Sequence, residues 1–134
     1  MTDDPTWIID PIDGTINFVK KLHFVCISVA LVVEKDLKIA FLYNPTLKEL
    51  YTARKGQGAF LNGVKIEVSK NEDFSRCLLA HEISLGTVAW ARPKYLEMAR
   101  AFLEKCIGLR ALGAYISTNA LWFFERFMEM LGQM

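Results

Sequence analysis

The sequence predicts a layered α/β sandwich of the α+β kind, built on a mainly antiparallel sheet. Strand-like segments follow one another from residue 6 to residue 68 at hairpin spacing, and helical periodicity appears only after residue 93. Strands first and helices later is the order of α+β layers. The composition is globular, with 134 residues, 52% hydrophobic and 23% charged. That length suits one domain better than two, and it can bury roughly two thirds of the surface the unfolded chain exposes.

Each element has a local reason. Thr6-Trp7-Ile8-Ile9 is β-branched and aromatic and reads as a short buried strand, ended by Asp10-Pro11. A tight turn at Gly14-Thr15 leads into a short helix over Ile16 to Lys21. Phe24 to Val33 reads as a strand, Glu34-Lys35-Asp36 as a polar turn, and Lys38 to Tyr43 as the next strand. Asn44-Pro45-Thr46 turns the chain into Leu50 to Ala53. Ala59 to Leu61 and Val64 to Val68 flank Asn62-Gly63, the strongest short hairpin signal, because both residues tolerate positive φ. Val64, Ile66 and Val68 alternate with Lys65 and Glu67, as in a half-buried strand. Consecutive hairpins imply an antiparallel sheet.

Cys77 to Ala80 is a short apolar run, read as a strand of another layer. Pro93 opens a helix and Gly108 closes it, with Leu96, Ala99, Leu103 and Cys106 on one face and Glu97, Arg100 and Glu104 on the other. A last helix is predicted from Ser117, as N-cap, to Gly132, with Leu121, Phe124, Met128 and Leu131 on its apolar side.

Charge and cysteine usage exclude several function classes. A net charge of +1 argues against bulk binding to nucleic acid or to anionic lipid. The longest apolar stretch, Phe24 to Val33, is too short for a bilayer, which needs about 20 residues. The N-terminus lacks the basic start and apolar core of a signal peptide. Cys26, Cys77 and Cys106 are an odd number without a C-x-x-C motif, so a reducing, cytoplasmic location is expected, with Cys26 and Cys77 inert in apolar strands. His23 and His81 lack zinc spacing, and no nucleophilic Ser-His-Asp set is evident. His23, within an apolar run, reads as a core or edge residue. Arg54-Lys55-Gly56-Gln57-Gly58 reads as a tight turn in preference to a phosphate cradle. Trp122, Phe123, Phe124 and Phe127 read as core or contact surface, and Glu125, Arg126 and Glu129 as a solvated face.

Chemistry concentrates in Trp7-Ile8-Ile9-Asp10-Pro11-Ile12-Asp13-Gly14-Thr15. Two carboxylates lie three apart at the end of an apolar strand, linked through the fixed φ of Pro11. Gly14 permits close backbone approach, and N–H groups at a helix start after it would face an anion. Mg²⁺ takes one or two carboxylates and completes its shell with water and substrate phosphate. From the pattern alone a second reading stands equally: Asp10 opens an Asx-type turn and Asp13 caps the following helix.

Continued to Ile16-Asn17-Phe18, this segment resembles the first signature of the inositol monophosphatase family. Its Asp-Pro-Ile-Asp-Gly-Thr core is shared with fructose bisphosphatases and bisphosphate nucleotidases. A second block, Tyr51-Thr52-Ala53-Arg54-Lys55-Gly56-Gln57-Gly58-Ala59-Phe60-Leu61-Asn62-Gly63, is similar to the same family, and the resemblance runs from about Thr6 to about Gly113.

The resemblance implies a sugar-phosphatase fold and Mg²⁺-dependent hydrolysis of a phosphomonoester, with inositol monophosphate as the expected substrate. Asp10 would bridge two Mg²⁺ ions, the Ile12 carbonyl would complete one site and Asp13 would hold the other. Ile12, Asp13, Gly14 and Thr15 would line the substrate phosphate, with the Gly14 and Thr15 N–H groups on its oxygens. The Thr15 hydroxyl would orient the attacking water. Paired metals activate water, clamp the phosphate and stabilise the leaving alkoxide. Leu109-Arg110-Ala111-Leu112-Gly113-Ala114 resembles the family's Arg-x-x-Gly-[Ser/Thr] stretch beside the sugar pocket, implying substrate contacts at Gly113, Ala114 and Tyr115. Tyr115 stands where the family prefers Ala, so its ring would crowd a polyol.

The chain also departs from the family pattern. The family's Glu ligand before the Trp-Ile-Ile-Asp strand, its later Trp-Asp signature and a substrate-side Glu have no counterparts in these residues. Residues 1–134 are therefore expected to form a single partial domain, lacking the family's N-terminal and C-terminal parts. Weak Mg²⁺ binding and little turnover by this chain alone are expected, as is homodimer formation or other self-association. The alternative is a catalytically dead remnant, or a protein that serves only in contacts.

Overall fold

A computed structural model describes residues 3–68 and 70–114. Six strands run β1 (Thr6–Asp13), β2 (Cys26–Val33), β3 (Asp36–Asn44), β4 (Glu49–Arg54), β5 (Gly58–Leu61) and β6 (Val64–Ile66). They form one sheet in sequence order, every neighbouring pair antiparallel. A short helix, α1 (Thr15–Val19), sits between β1 and β2. Beyond this meander, β7 (Leu78–Ala80) and β8 (Gly108–Arg110) pair in parallel as a separate sheet, and α2 (Arg92–Leu103) makes the crossover. A parallel pair requires such a crossover. The antiparallel meander and the separate second layer agree with the sequence reading.

The hairpins follow from turn chemistry. Asn62 and Gly63 take φ of 49° and 81°, and Glu34 and Lys35 take 54° and 63°. Both central residues positive is the type I′ signature, whose twist matches that of the flanking strands. At the β3–β4 turn, the Asn44 side-chain oxygen accepts the N–H groups of Thr46 and Leu47, each at 3.0 Å, an Asx turn. Arg54 to Gly58 forms the tight β4–β5 turn, closed by the Gln57 N–H donating to the Arg54 carbonyl at 2.9 Å.

One sheet face holds the core. Cys26, Leu42 and Tyr51 are buried together, with Leu61 and Ile66 packed against them. Tyr51 donates to Glu49 at 3.2 Å, and burial, then the Glu49 charge, pushes its phenol above the usual tyrosine range. On β3, Asp36 accepts Lys38 at 2.7 Å and Lys55 at 2.8 Å, and these contacts hold its carboxyl below the usual value.

Several element boundaries differ from the sequence reading. The first strand does not stop at Asp10-Pro11 but continues to Asp13. Strand β1 lies at the sheet edge, where proline is tolerated because the outward side needs no N–H. Strand β2 begins at Cys26, not Phe24, and β6 ends at Ile66, short of Val68. Helix α2 ends at Leu103, and Gly108 opens β8 instead of closing the helix. Its inner side is also rotated. Leu96 and Leu103 are exposed, while Tyr95 and Phe102 pack on His81 with ring centroids 5.9 and 5.4 Å away. His81 is buried, and His23 is exposed with its ring against Phe24. The predicted helix from Ser117, with its aromatic stripe, lies outside the described residues, as does Tyr115. Among the described residues, no helix is long and apolar enough to cross a membrane.

Candidate active site

Strict strand alternation would send residues 10 and 13 to opposite faces of the sheet. The register prevents this. Asp10 pairs with Ser28 and Asp13 with Cys26, so three steps along β1 oppose two along β2. This is a β-bulge, in which one extra residue restores the same face. Both carboxylates therefore belong to the face that carries Cys26. The Cys26 thiol confirms the direction of Asp13, lying 3.8 Å from its Oδ2.

The alternative reading of the two aspartates is half met. Asp10 Oδ1 accepts the Ile12 N–H at 3.3 Å, an Asx-type contact within the bulge. Asp13 does not cap α1. The N-cap is Gly14, in the left-handed conformation at φ 80°, and no side chain caps the helix. Asp10, Ile12 and Thr15 are exposed, and Asp13 is half-buried.

Gly14 is required by packing as well as by φ. A Cβ there would lie 2.6 Å from the Phe24 carbonyl oxygen and 2.9 Å from the Ala114 Cβ. The close approach expected of this glycine is thus made to the protein itself. Ala114 is buried against it, and Gly113 follows the same path on an exposed turn with φ 73°. So Ala114, far away in sequence, meets the Asp13–Thr15 turn at Gly14, and Gly113 lies against Asn17.

Asn17 holds that junction, and no role was assigned to it from sequence. Helix α1 is inverted relative to hydropathy: Asn17 is 6% exposed, whereas Ile16 and Val19 are 75% and 73% exposed. The Asn17 amide donates to the Phe24 carbonyl at 2.8 Å and to the Leu112 carbonyl at 2.7 Å. On the far side of the 112–113 segment, Glu82 Oε1 accepts the N–H groups of Leu112 at 2.8 Å and Gly113 at 3.0 Å. A polar residue alone among Ile16, Phe18 and Val19 was the available signal for Asn17. Nothing local marks Glu82.

The donors suit a hard divalent cation. Two carboxylates on one face provide the oxygen ligands Mg²⁺ takes while keeping water and substrate oxygens in its shell. Among the described residues, no group of three or more His, Cys, Asp or Glu converges on one point. Asp10 and Asp13 thus offer two of the oxygen ligands that such an ion takes.

Comparison with known proteins agrees with this architecture. The family model described as inositol monophosphatase family matches residues 1–116. Human inositol monophosphatase 1 is 42% identical over 118 residues, covering 84% of this chain and 41% of that protein. The Bos taurus protein of the same name is 49% identical over 118 residues, with the same shares. Among solved structures, extragenic suppressor protein suhB of Bartonella henselae superposes with a TM-score of 0.82 at 29% identity, over 91% of this chain and 46% of that one. The IMPase of Thermotoga maritima gives 0.78 at 33%, over 92% and 45%. The chain thus spans about two fifths of the length of these curated relatives. With the match extending over residues 1–116 and the fold shared with these solved structures, the chain belongs to the inositol monophosphatase family.

Proposed function

We propose that this chain carries the metal- and phosphate-binding turn of a Mg²⁺-dependent phosphomonoesterase, whose substrate is inositol monophosphate or a closely similar phosphorylated polyol. The observation that carries the reading is the bulge that turns Asp10 and Asp13 to one face beside the start of α1. Family membership supports the same chemistry.

In this reading Asp10 would serve two Mg²⁺ positions, with the Ile12 carbonyl at one and Asp13 at the other, and bound Mg²⁺ polarises the phosphoryl oxygens and lowers the pKa of water. Asp10 is the more important carboxylate, because it would serve both metal positions. The N–H groups of Gly14 and Thr15 bind phosphate oxygens, and the Thr15 hydroxyl orients the attacking water. The 113–114 segment, with Tyr115, borders the polyol. Positioning and charge neutralisation supply most of the acceleration in such a transfer. Residues 1–134 form one partial domain of the enzyme, and the reading includes a cytoplasmic location and self-association of the chain.

The test is phosphate release from inositol 1-phosphate at several millimolar Mg²⁺. Residues 6–113 are grafted in place of the matching segment of human inositol monophosphatase 1, and the 134-residue chain is assayed alongside. The graft is expected to turn over with Mg²⁺ and to lose on the order of a thousandfold in the Asp13→Asn variant. The chain alone is expected to be at least that much slower than the graft, because among the described residues no third carboxylate joins Asp10 and Asp13 in a metal-holding group. A folded graft without turnover, its parent being active, contradicts the proposal.

A further inference from the structure

The 112–113 segment is gripped from two sides. The Asn17 amide takes the Leu112 carbonyl, and the Glu82 carboxylate takes the next two N–H groups, Leu112 and Gly113. The three parts of this clamp come from distant places: α1 beside the bulge, the residues just after β7, and the residues just after β8. Asn17 has a second duty, since its other contact is the Phe24 carbonyl that lies against Gly14. The hydrogen bonds of Glu82 with the segment are charge-assisted, which makes them roughly twice as strong as neutral ones.

We infer that Glu82 and Asn17 are positioning residues that fix the 112–114 segment against the anion-binding turn, and that Glu82 thereby sets discrimination for the polyol part of the substrate over the phosphate alone. The inference rests on the reading of the turn under Proposed function. Without Glu82, the segment keeps its grip from Asn17 at the Leu112 carbonyl but loses the contacts of the Leu112 and Gly113 N–H groups. The phosphate cradle at Gly14 and Thr15 stays intact, because Asn17 still holds Phe24. Loss of Asn17 instead loosens both.

The test compares two probes on the 134-residue chain at several millimolar Mg²⁺: inositol 1-phosphate and inorganic phosphate, with affinities and amide hydrogen exchange read by NMR. The wild-type chain is expected to bind inositol 1-phosphate more tightly than phosphate. Glu82→Ala is expected to lose roughly tenfold in affinity for inositol 1-phosphate, the worth of one or two hydrogen bonds, with phosphate affinity within about twofold. Exchange at Gly113 should rise by a similar factor. Glu82→Gln, which keeps an acceptor, should restore most of both readouts. Asn17→Ala should weaken both probes together.

Equal losses for the two probes in Glu82→Ala would reduce Glu82 to a structural role and overturn the inference while leaving the turn's function intact. An unchanged Gly113 exchange rate would also overturn it. A wild-type chain that binds neither probe would sink both the inference and the reading on which it rests. If the alanine variant does not fold, Glu82→Asp, which withdraws the acceptor by one methylene, is read in the same way.

Discussion

Gly14 shows how much one residue carries. Its φ of 80° is strained for any side chain, and a Cβ would meet the Phe24 carbonyl oxygen at 2.6 Å. Gly56 has a similar φ of 75° but nothing within 4 Å. Replacing each by alanine separates the two penalties. Gly56→Ala should cost about 1 kcal/mol, the left-handed backbone term alone. Gly14→Ala should cost about 3 kcal/mol, since overpacking adds to it. Urea denaturation of the two variants measures the difference, and equal losses would mean that the junction at Gly14 is soft. The Asp10–Asp13 pair was legible as a pair, because three-residue spacing beside Gly14 is a local feature. Their common face was not, because it depends on a bulge, and a bulge is a property of two strands. The roles of Asn17 and Glu82 depend on contacts 95 and 30 residues away in sequence.

At the scale of elements, hairpins were legible and helix faces were not. Asn62-Gly63 and Glu34-Lys35 encode their turns in two adjacent residues. Helix α2 offers apolar side chains on more than one side, so periodicity alone does not choose which side packs. The choice is made by His81 and by Phe74, whose ring lies 6.4 Å from that of Phe102. Phe102→Ala should therefore destabilise by about 2 kcal/mol, less than a fully buried aromatic because the ring is only half-buried. Leu103→Ala, at a side chain 59% exposed, should stay within about 0.5 kcal/mol. Thermal melting of both variants checks this, and the reverse order would restore the face predicted from sequence. Strand β8 was missed for a related reason. Gly108 resembles a helix stop, and its parallel partner Leu78 lies across the α2 crossover.

At the scale of the molecule, the central sheet buries one face more completely than the other. Trp7 and Ile9 on β1 are 55% and 62% exposed, and their register through Leu31 and Val29 continues to Ile39 and Phe41. Trp7 and Phe41 lie together on this face, with ring centroids 6.3 Å apart. Contiguous apolar surface of this kind favours association. Sedimentation at tens of micromolar is expected to show self-association, with Ile9→Lys shifting the chain towards monomer. A clean wild-type monomer would contradict this. The layered architecture was legible from the order of elements. The junction between layers at Asn17, Leu112 and Glu82 was not, since long-range hydrogen bonds leave no periodic trace.

The central claim is that the bulge brings Asp10 and Asp13 to one metal-binding face, and Mg²⁺ titration of the 134-residue chain tests it most directly. Two carboxylates offset little of the dehydration that Mg²⁺ resists, so binding no tighter than about millimolar is expected. Asp10→Asn should abolish it, and Asp13→Asn should weaken it to a lesser degree. Both variants should keep the wild-type circular dichroism spectrum. Unchanged Mg²⁺ binding in a folded Asp10→Asn chain would contradict the account, and would leave the Asp10 carboxylate with its Asx contact to Ile12 as its whole role.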